Sequence, residues 1–253
     1  MGTGTVRTET FDEIAIVTLN KPPVNAIDLT LIHDAEKCLK SIEEDGKTLA
    51  VVITGSGKCF SAGLDLKTVP YYSQSEQRQM VEDLNRIVAW LYGFPLPIVT
   101  AINGHAIAGG FILAMSSDYR IGTSSSCKLG VTESRVGIPF PISTMEVMKG
   151  ELAPAVSRRM ILVGHTIGSE EALSQGVLDE IQTPDNVLPR AIAVAKDFAS
   201  LPSEAYATIK RQLRAEALAR MEDAMKTASD PLLRTWITDE GRVASAKHLA
   251  SPD

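Results

Sequence analysis

Two glycine-containing turns are the first parts of this sequence that could do chemistry. Residues 103–110 lead from an apolar run through Gly109 and Gly110 into a helical pattern. Such a turn leaves backbone N–H groups free at a helix N-terminus, where partial positive charge collects. Residues 58–67 form a second loop, in which the N–H of Leu64 follows a glycine. Two converging N–H donors stabilise the oxyanion that forms from a carbonyl, whereas tight packing also explains either turn taken alone.

Glu133 is the carboxylate that we predict acts as an acid and a base. It follows a short apolar segment and precedes a glycine-proline turn, so it lies at a junction between predicted elements. The alternative is a glutamate on a surface loop, paired with Arg135 or Arg158. Glu146, on a helix predicted after that turn, is a second candidate acid.

Several other polar residues near these turns are interpreted as structural. His105, beside the glycines, is expected to pack against its surroundings rather than to act as a base. Asp28, Asp65 and Asp118 are expected to accept hydrogen bonds at helix starts or turns. No group of His, Cys, Asp or Glu residues has the spacing of metal ligands, so no metal is expected.

The composition is that of an ordinary globular protein. The chain has 253 residues, of which 44% are hydrophobic, and a net charge of −6. That charge argues against nucleic-acid binding, because nucleic-acid-binding proteins usually carry a basic face. The three cysteines fit neither a disulfide framework nor a zinc motif, which favours a reducing compartment. With neither a signal peptide nor a membrane-spanning apolar run in the sequence, we predict a cytoplasmic protein that does not associate with membranes.

Apolar runs and helical patterns alternate in the first half of the chain. Strands are predicted over residues 14–20, 49–55, 97–102 and 119–123, and helices over residues 29–42 and 75–91. Apolar strands that alternate with helices predict an α/β fold with a mainly parallel, covered sheet. After residue 151 the pattern is mostly helical, with one long helix predicted over residues 203–227. We therefore predict a core of residues 1–199 and a helical C-terminal region of residues 200–253.

Seven segments, in the right order, resemble the crotonase superfamily, which includes the enoyl-CoA hydratases and isomerases. The matching segments are residues 21–26, 60–66, 102–110, 117–121, 129–133 with 136–139, 171–179 and 239–242. They extend over nearly the whole chain. The resemblance implies a spiral of ββα units with a helical C-terminal trimerisation region, and a homotrimer or a dimer of trimers.

The resemblance also implies an acyl-CoA thioester substrate and assigns site residues by motif position. The oxyanion donors would be the backbone N–H groups of Leu64 and Gly109. Coenzyme A would take part only as a portion of the substrate, with no other cofactor. The remaining predicted substrate contacts are Ser61, Ala62, Gly63, Lys67, Gly110, Ile112 and Phe140. Lys67 is a candidate contact to a CoA phosphate or, alternatively, a solvated lysine.

One position departs from the pattern of relatives that hydrate enoyl thioesters. Those relatives carry a first catalytic glutamate where this chain has Ile112, whereas their second glutamate falls on Glu133. Hydration requires water to be held and deprotonated and a proton to be delivered to the α carbon, and isoleucine does neither. One carboxylate suffices to move a double bond, because it removes a proton from C2 and returns it at C4. Residues 129–140 also resemble the mitochondrial-type Δ3-Δ2-enoyl-CoA isomerases.

We therefore predict a Δ3-Δ2-enoyl-CoA isomerase with Glu133 as its proton shuttle. If Ile112 and Phe140 desolvate Glu133, the pKa of this carboxyl is expected to be raised. Alternatives stay open: weak hydration, thioester hydrolysis or decarboxylation on the same scaffold, or a CoA-thioester binding subunit without turnover. The residues that cover CoA in many relatives are poorly matched over residues 244–248, so a contact from Lys247 is not predicted.

Overall fold

The computed structural model describes residues 4–250 of the chain. Within that range it forms ten strands: β1 (Val6–Phe11), β2 (Ile14–Leu19), β3 (Ala50–Gly55), β4 (Cys59–Ser61), β5 (Ile98–Ile102), β6 (His105–Ile107), β7 (Tyr119–Thr123), β8 (Leu129–Gly130), β9 (Thr166–Ile167) and β10 (Glu180–Gln182). The α-helices of the same range are α1 (Leu29–Asp45), α2 (Gln74–Tyr92), α3 (Gly109–Met115), α4 (Glu133–Val136), α5 (Ile142–Glu151), α6 (Pro154–Val163), α7 (Ser169–Ser174), α8 (Val187–Ala199), α9 (Ser203–Leu213), α10 (Ala215–Thr227) and α11 (Asp239–Ala250). This mixture of strands and helices confirms the predicted α/β class.

The larger sheet has six strands in the order β1-β2-β3-β5-β7-β10. Only β1 and β2 pair antiparallel; the other neighbours are parallel. Ile14 and Ile16 pack against α8 on one face, whereas Ala15 and Val17 join the main core on the other. Because both faces are covered, these strands are apolar at nearly every position, as a buried parallel sheet requires. The four strands predicted from the sequence are confirmed, and each observed end lies within one residue of the predicted end.

The smaller sheet has four very short strands in the order β4-β6-β8-β9. β4, β6 and β8 run parallel, so their carboxyl ends lie at one edge of the sheet. These ends are followed by the loop after Ser61, the turn at Ala108 and the segment before Glu133. Strands of two or three residues are too short to give a periodic signal in a sequence. The smaller sheet therefore brings together the two loops predicted to carry the N–H donors and the segment that carries Glu133.

The long helices begin and end where capping residues allow. In α1 the side chain of Asp28 accepts a hydrogen bond from the N–H of Leu31, and Gly46 closes the helix in the left-handed conformation. This agrees with the capping role predicted for Asp28. In α2 Ser73 and Glu76 form a capping box, a reciprocal arrangement that satisfies two free N–H groups at the helix start.

The single helix predicted over residues 203–227 is wrong, because the chain breaks at Arg214 between α9 and α10. The Arg214 guanidinium is buried and donates to Asp118, to the carbonyl of Tyr92 and to that of Ser117. Reaching these partners in the core bends the chain at that point. α10 then packs on α2 and α5, with Leu218 and Met221 in the main core. The proposed division at residue 200 stays a prediction.

None of the helices between residues 4 and 250 combines the length and the apolar character needed to cross a membrane.

Candidate active site

Two backbone N–H groups meet where the loop after β4 touches the turn after β6. Gly63 has φ +79°, and a Cβ on it would lie 2.9 Å from the Gly109 nitrogen. A Cβ on Gly109 would lie 3.9 Å from the Leu64 nitrogen. Among the described residues, neither the Leu64 N–H nor the Gly109 N–H has a hydrogen-bond acceptor. Two unsatisfied donors this close together can bind one carbonyl oxygen.

Ala108 holds the second donor in place through a strained backbone. Its φ of 53° and ψ of −128° lie in a region that residues with a Cβ rarely adopt. The Ala108 N–H donates to the carbonyl of Gly130 at 2.8 Å, and the Ala108 carbonyl accepts from Ile112 at 3.1 Å. These bonds fix the peptide that carries the Gly109 N–H at the start of α3.

Asn25 holds the loop after β4 in place, a role that was not predicted from the sequence. Its side chain is completely buried and its amide nitrogen donates to the carbonyls of Cys59 and Phe60 at 2.8 and 3.1 Å. The Ser61 hydroxyl donates in turn to the Asn25 carbonyl at 2.8 Å. Asn25 lies in the first family segment, and its φ of 52° is one that asparagine tolerates better than most residues. It therefore supports the Leu64 donor without facing the ligand.

Glu133, the first residue of α4, is a buried carboxylate without a cation. The residue is 6% exposed and forms no ion pair with any described residue, so the predicted alternative of a surface pair with Arg135 or Arg158 is wrong. Burial raises the pKa of the Glu133 carboxyl to about 7, although the backbone N–H groups of Glu133 and Thr132 donate to it and oppose the rise. The direction of this pKa shift is the one predicted from the sequence, but Ile112 and Phe140, the residues predicted to cause it, are not among those that line the space around Glu133.

A cleft of about 320 Å³ brings the carboxylate and the first donor together. Glu133, Leu64, Ala62 and Lys67 line it, with Ala108 beside the second donor. Its other walls are mostly apolar, which explains the desolvation of Glu133. The apolar residues come chiefly from the segment before α1, from β6 and from α4: Pro22, Pro23, Val24, Ala26, Ile107, Val136 and Ile138.

The remaining predicted contacts do not line this cleft. Ser61 is fully buried behind the loop, and a Cβ on Gly110 would lie 2.4 Å from the Ser61 carbonyl oxygen, so these two residues serve close packing. Gly63 provides the left-handed turn. Ile112 is 3% exposed and faces an inner cavity behind α3. Phe140 packs against the main core and is not part of the cleft lining.

Two residues of α11, the last described helix, complete the cleft, and neither was predicted from the sequence as a site residue. His248 and Leu249 on α11 line its wall. The Ser245 hydroxyl donates to the Val136 carbonyl at 3.2 Å, which ties α11 to α4. The segment around Lys247 matches relatives poorly, so only the fold reveals these neighbours.

A basic recess adjoins the cleft and shares His248, Ala62 and Thr132 with it. Its positive or titratable side chains are Lys58, His105, Lys128, Arg135, His165 and His248. They come from distant parts of the sequence, so no run of the sequence indicates the recess. The His105 Nδ1 accepts from the Lys128 N–H at 3.0 Å, which agrees with the structural role predicted for His105.

Glu146 and Asp118 lie elsewhere and are neutralised by cations. Glu146 contacts Lys149 at 2.8 Å and Arg220 at 3.1 Å and lines a different cavity, so it is not a second acid of this cleft. Asp118 accepts from Lys210 at 2.7 Å and from the Ile98 N–H at 2.8 Å, which makes it a structural acceptor. Within residues 4–250, no three His, Cys, Asp or Glu side chains come together as a metal site.

Comparisons with known proteins agree with this geometry. The family model described as enoyl-CoA hydratase/isomerase matches residues 9–246. A Bacillus subtilis protein named "Probable enoyl-CoA hydratase" is 28% identical over 216 residues, which cover 84% of this chain and 83% of that protein. The apo structure of a Mycobacterium tuberculosis enoyl-CoA isomerase is 29% identical with a TM-score of 0.82, and the match covers 90% of this chain and 100% of the other.

The fold is also that of human mitochondrial Δ3-Δ2-enoyl-CoA isomerase, with a TM-score of 0.90 over 97% of each chain at 24% identity. The family match extends over nearly the whole chain and includes both donor loops and Glu133. The protein therefore belongs to the enoyl-CoA hydratase/isomerase family, as its seven sequence segments predict.

Proposed function

We propose that this acyl-CoA enzyme of the crotonase superfamily moves the double bond of a 3-enoyl-CoA to the 2,3 position. The observation that carries the proposal is a single buried carboxylate, Glu133, without a cation, in the cleft that the Leu64 donor lines. A cation would hold the carboxylate ionised and weaken it as a base. Burial instead raises the pKa of Glu133 to about 7, which suits a group that both takes and returns a proton near neutral pH.

The reaction follows from these groups. The thioester carbonyl accepts from the Leu64 and Gly109 N–H groups, and ionised Glu133 removes a proton from C2. The electron pair of the broken C2–H bond forms a C1–C2 double bond and displaces the carbonyl pair onto oxygen, which gives a dienolate whose oxygen the two donors stabilise by about 2.7–4 kcal/mol each. Protonated Glu133 then delivers the same proton to C4, which leaves a double bond between C2 and C3. No water and no second acid takes part.

Hydration is the competing reaction, and the names of relatives do not decide between the two: one is named a hydratase and another an isomerase. The arrangement of side chains favours isomerisation. Ile112 occupies the position of the first glutamate of hydratases, and Glu146, the other candidate acid, is paired with Lys149 and Arg220 away from the cleft. Asp65, the other carboxylate in the lining of the cleft, is paired with Lys21 at 3.3 Å and is not proposed as the partner of Glu133 that would hold and deprotonate a water.

The basic recess suits the nucleotide end of coenzyme A. Lys58, Lys128, Arg135 and His165 can contact phosphates there, and Lys67 in the cleft remains a candidate for the same task. Coenzyme A is proposed to take part only as a portion of the substrate, in a cytoplasmic enzyme. We also propose a homotrimer or a dimer of trimers, because α9 exposes 62% of Ile209 and 82% of Leu213 to solvent in the single chain.

A paired spectrophotometric assay tests the proposed reaction. Wild type and Glu133→Ala are each given 3-enoyl-CoA and 2-enoyl-CoA, and the conjugated thioester is followed. The proposal expects conjugated product from the first substrate, slow loss of the second, and neither change with Glu133→Ala. Rapid hydration of 2-enoyl-CoA by the wild type would replace isomerase with hydratase. Tight binding of acyl-CoA with no turnover of either substrate would point to a binding subunit.

A further inference from the structure

An apolar cavity lies behind the proposed oxyanion donors and takes no part in the reaction described above. It measures about 40 Å³ and lies between the larger sheet and the helices α1, α2 and α3. The only polar side chain in its lining is Thr144, whose hydroxyl donates to the Pro141 carbonyl at 2.7 Å. A cavity without unsatisfied polar groups stays dry, and this one has room for about three groups of the size of a water molecule.

Only a thin wall separates this inner cavity from the cleft. Ala26 and Ala108 face the cleft, whereas the residues that follow them, Ile27 and Gly109, face the cavity. A Cβ on Gly109 would lie 3.2 Å from Cδ1 of Ile27, so the absent side chain leaves the Ile27 methyl group as the main obstacle. The peptide that binds the thioester oxygen therefore also borders the cavity, and an acyl chain extending from that thioester is close to its mouth.

An ion pair and a histidine–carboxylate contact hold the side walls of the cavity together. Arg86 on α2 makes two hydrogen bonds to the Glu36 carboxylate on α1, at 2.8 and 3.1 Å. His33 Nε2 on α1 lies 2.9 Å from the carboxylate of Asp83 on α2. Paired contacts of this kind resist separation of the two helices. The cavity can therefore lengthen or widen only by moving side chains.

From these observations we infer that the inner cavity receives the aliphatic tail of the acyl group, and that Ala35 and Leu39 on α1 limit its length. The inference rests on the proposed acyl-CoA substrate and adds its class: a short, unbranched, saturated tail. Leu31, Ala35 and Leu39 line the cavity one turn apart, so Leu39 lies about 12 Å along the axis from Leu31. Ala35 is the small residue midway, and Leu39 closes the far end.

Calorimetric binding of saturated acyl-CoA thioesters tests this inference without requiring turnover. Free CoA and the butanoyl, hexanoyl, octanoyl and decanoyl thioesters are titrated into the wild type, Ala35→Leu, Leu39→Ala and a control, Lys40→Leu. Lys40 lies on the same helix but outside the cavity lining, on the exposed side. For the wild type we expect affinity to improve about fourfold per methylene up to a short chain and then to stop improving.

The variants should shift this length limit in opposite directions. Ala35→Leu should weaken hexanoyl-CoA at least about fivefold while leaving free CoA and butanoyl-CoA unchanged. Leu39→Ala should extend the improvement to octanoyl-CoA, and Lys40→Leu should match the wild type. Equal effects on all ligands, or no shift from either cavity variant, would overturn the inference. A shifted length limit in an enzyme that isomerises nothing would retain the tail site and reject the isomerase instead.

Discussion

Glu133 and Glu146 are buried to almost the same extent, with 6% and 7% of each residue exposed, but their surroundings are opposite. Glu146 has two cations, Lys149 and Arg220, within 3.1 Å. Glu133 has none and receives only backbone N–H groups. Burial beside cations makes Glu146 part of ion pairs, one of which joins α5 to α10. Burial without one produces a group that exchanges a proton near neutral pH, because the charged form is poorly solvated.

The same contrast separates two larger regions. The network that joins the core to α9 and α10 contains Asp118 and Glu151, and both contact buried cations: Lys210, Arg214 and Arg120. In the cleft Glu133 has no such cation, whereas Asp65 in the same lining is paired with Lys21 at 3.3 Å. In the proposed mechanism, stability and catalysis use the same type of side chain, and the presence or absence of a counter-charge separates the two roles.

The largest expected effect is on kcat and comes from replacing Glu133, rather than Glu146, with glutamine. Glu133→Gln cannot remove a proton, so kcat for 3-enoyl-CoA should fall about 10²–10⁴-fold while the affinity for saturated acyl-CoA is kept. Glu146→Gln should retain the wild-type kcat, because Glu146 lies outside the cleft. Initial rates of conjugated-product formation give the comparison. Equal losses of kcat in both variants would contradict the division of roles.

Breaking the paired region should cost stability instead of rate. Asp118→Asn leaves Lys210 and Arg214 buried without their carboxylate, which should lower the free energy of unfolding by about 3–5 kcal/mol. Urea denaturation measures the loss. The matched control is Glu222→Gln, which breaks an exposed pair with Arg211 and should change stability by about 1 kcal/mol or less. A loss of about 1 kcal/mol or less for Asp118→Asn would mean that the buried ion pairs of Asp118 contribute no more to stability than an exposed pair does.

The titration of Glu133 should appear in both stability and rate. Its pKa is raised from 4.5 to about 7 in the folded protein, so the unfolded chain loses this proton first. Relative to Glu133→Gln, the free energy of unfolding of the wild type should be highest below pH 4.5. It should fall by about 3 kcal/mol as the pH rises to 7, and then level off.

The rate should change in the opposite sense, because the ionised form is the base. kcat/KM of the wild type should rise with pH and reach a plateau above about pH 7. Urea denaturation and initial rates across this pH range check both trends. A midpoint near 4.5 in the pH–rate profile would show that Glu133 is solvated in solution and would remove the contrast with Glu146.

The smallest effect concerns the backbone rather than a charge. Ala108→Gly removes the strain of a positive φ next to the Gly109 donor, and should stabilise the protein by about 1 kcal/mol after the entropy cost of glycine. It also loosens the donor, so kcat should not rise. Ala228→Gly relieves a similar φ of 49° at the end of α10, far from the donors, and should leave kcat unchanged. A higher kcat for Ala108→Gly would mean that the strain does not serve the site.

The sequence predicts the large sheet well and indicates the proposed chemical groups, because both leave local signals. Buried strands such as β3 and β5 are continuous apolar runs, and Glu133 and the paired glycines belong to recognisable segments. The break at Arg214 could not be predicted, because its cause is a carboxylate almost a hundred positions away in sequence, Asp118. The family pattern also misled at Phe140, which the structure does not bring to the cleft.

The parts of the site that escaped prediction depend on distant segments. Asn25 acts through carbonyl groups of β4, and its amide looks like an ordinary turn residue in the sequence. The basic recess draws six side chains from distant parts of the sequence, none of which is a basic run. Such clusters depend on which strands are neighbours in a sheet. The strands of the smaller sheet have only two or three residues, so the sequence does not show how they pair.

The contact of α11 with α4 has a consequence for how the enzyme is made. Gly241 of α11 lies so close to Gly137 that a Cβ on Gly137 would be 3.0 Å from its Cα, and His248 closes the cleft from the same helix. The ribosome delivers α11 after every other described element. A nascent chain can therefore build the sheets and both donors while the wall beside Glu133 is still missing. Docking of α11 on α4 is then the step that completes the proposed site.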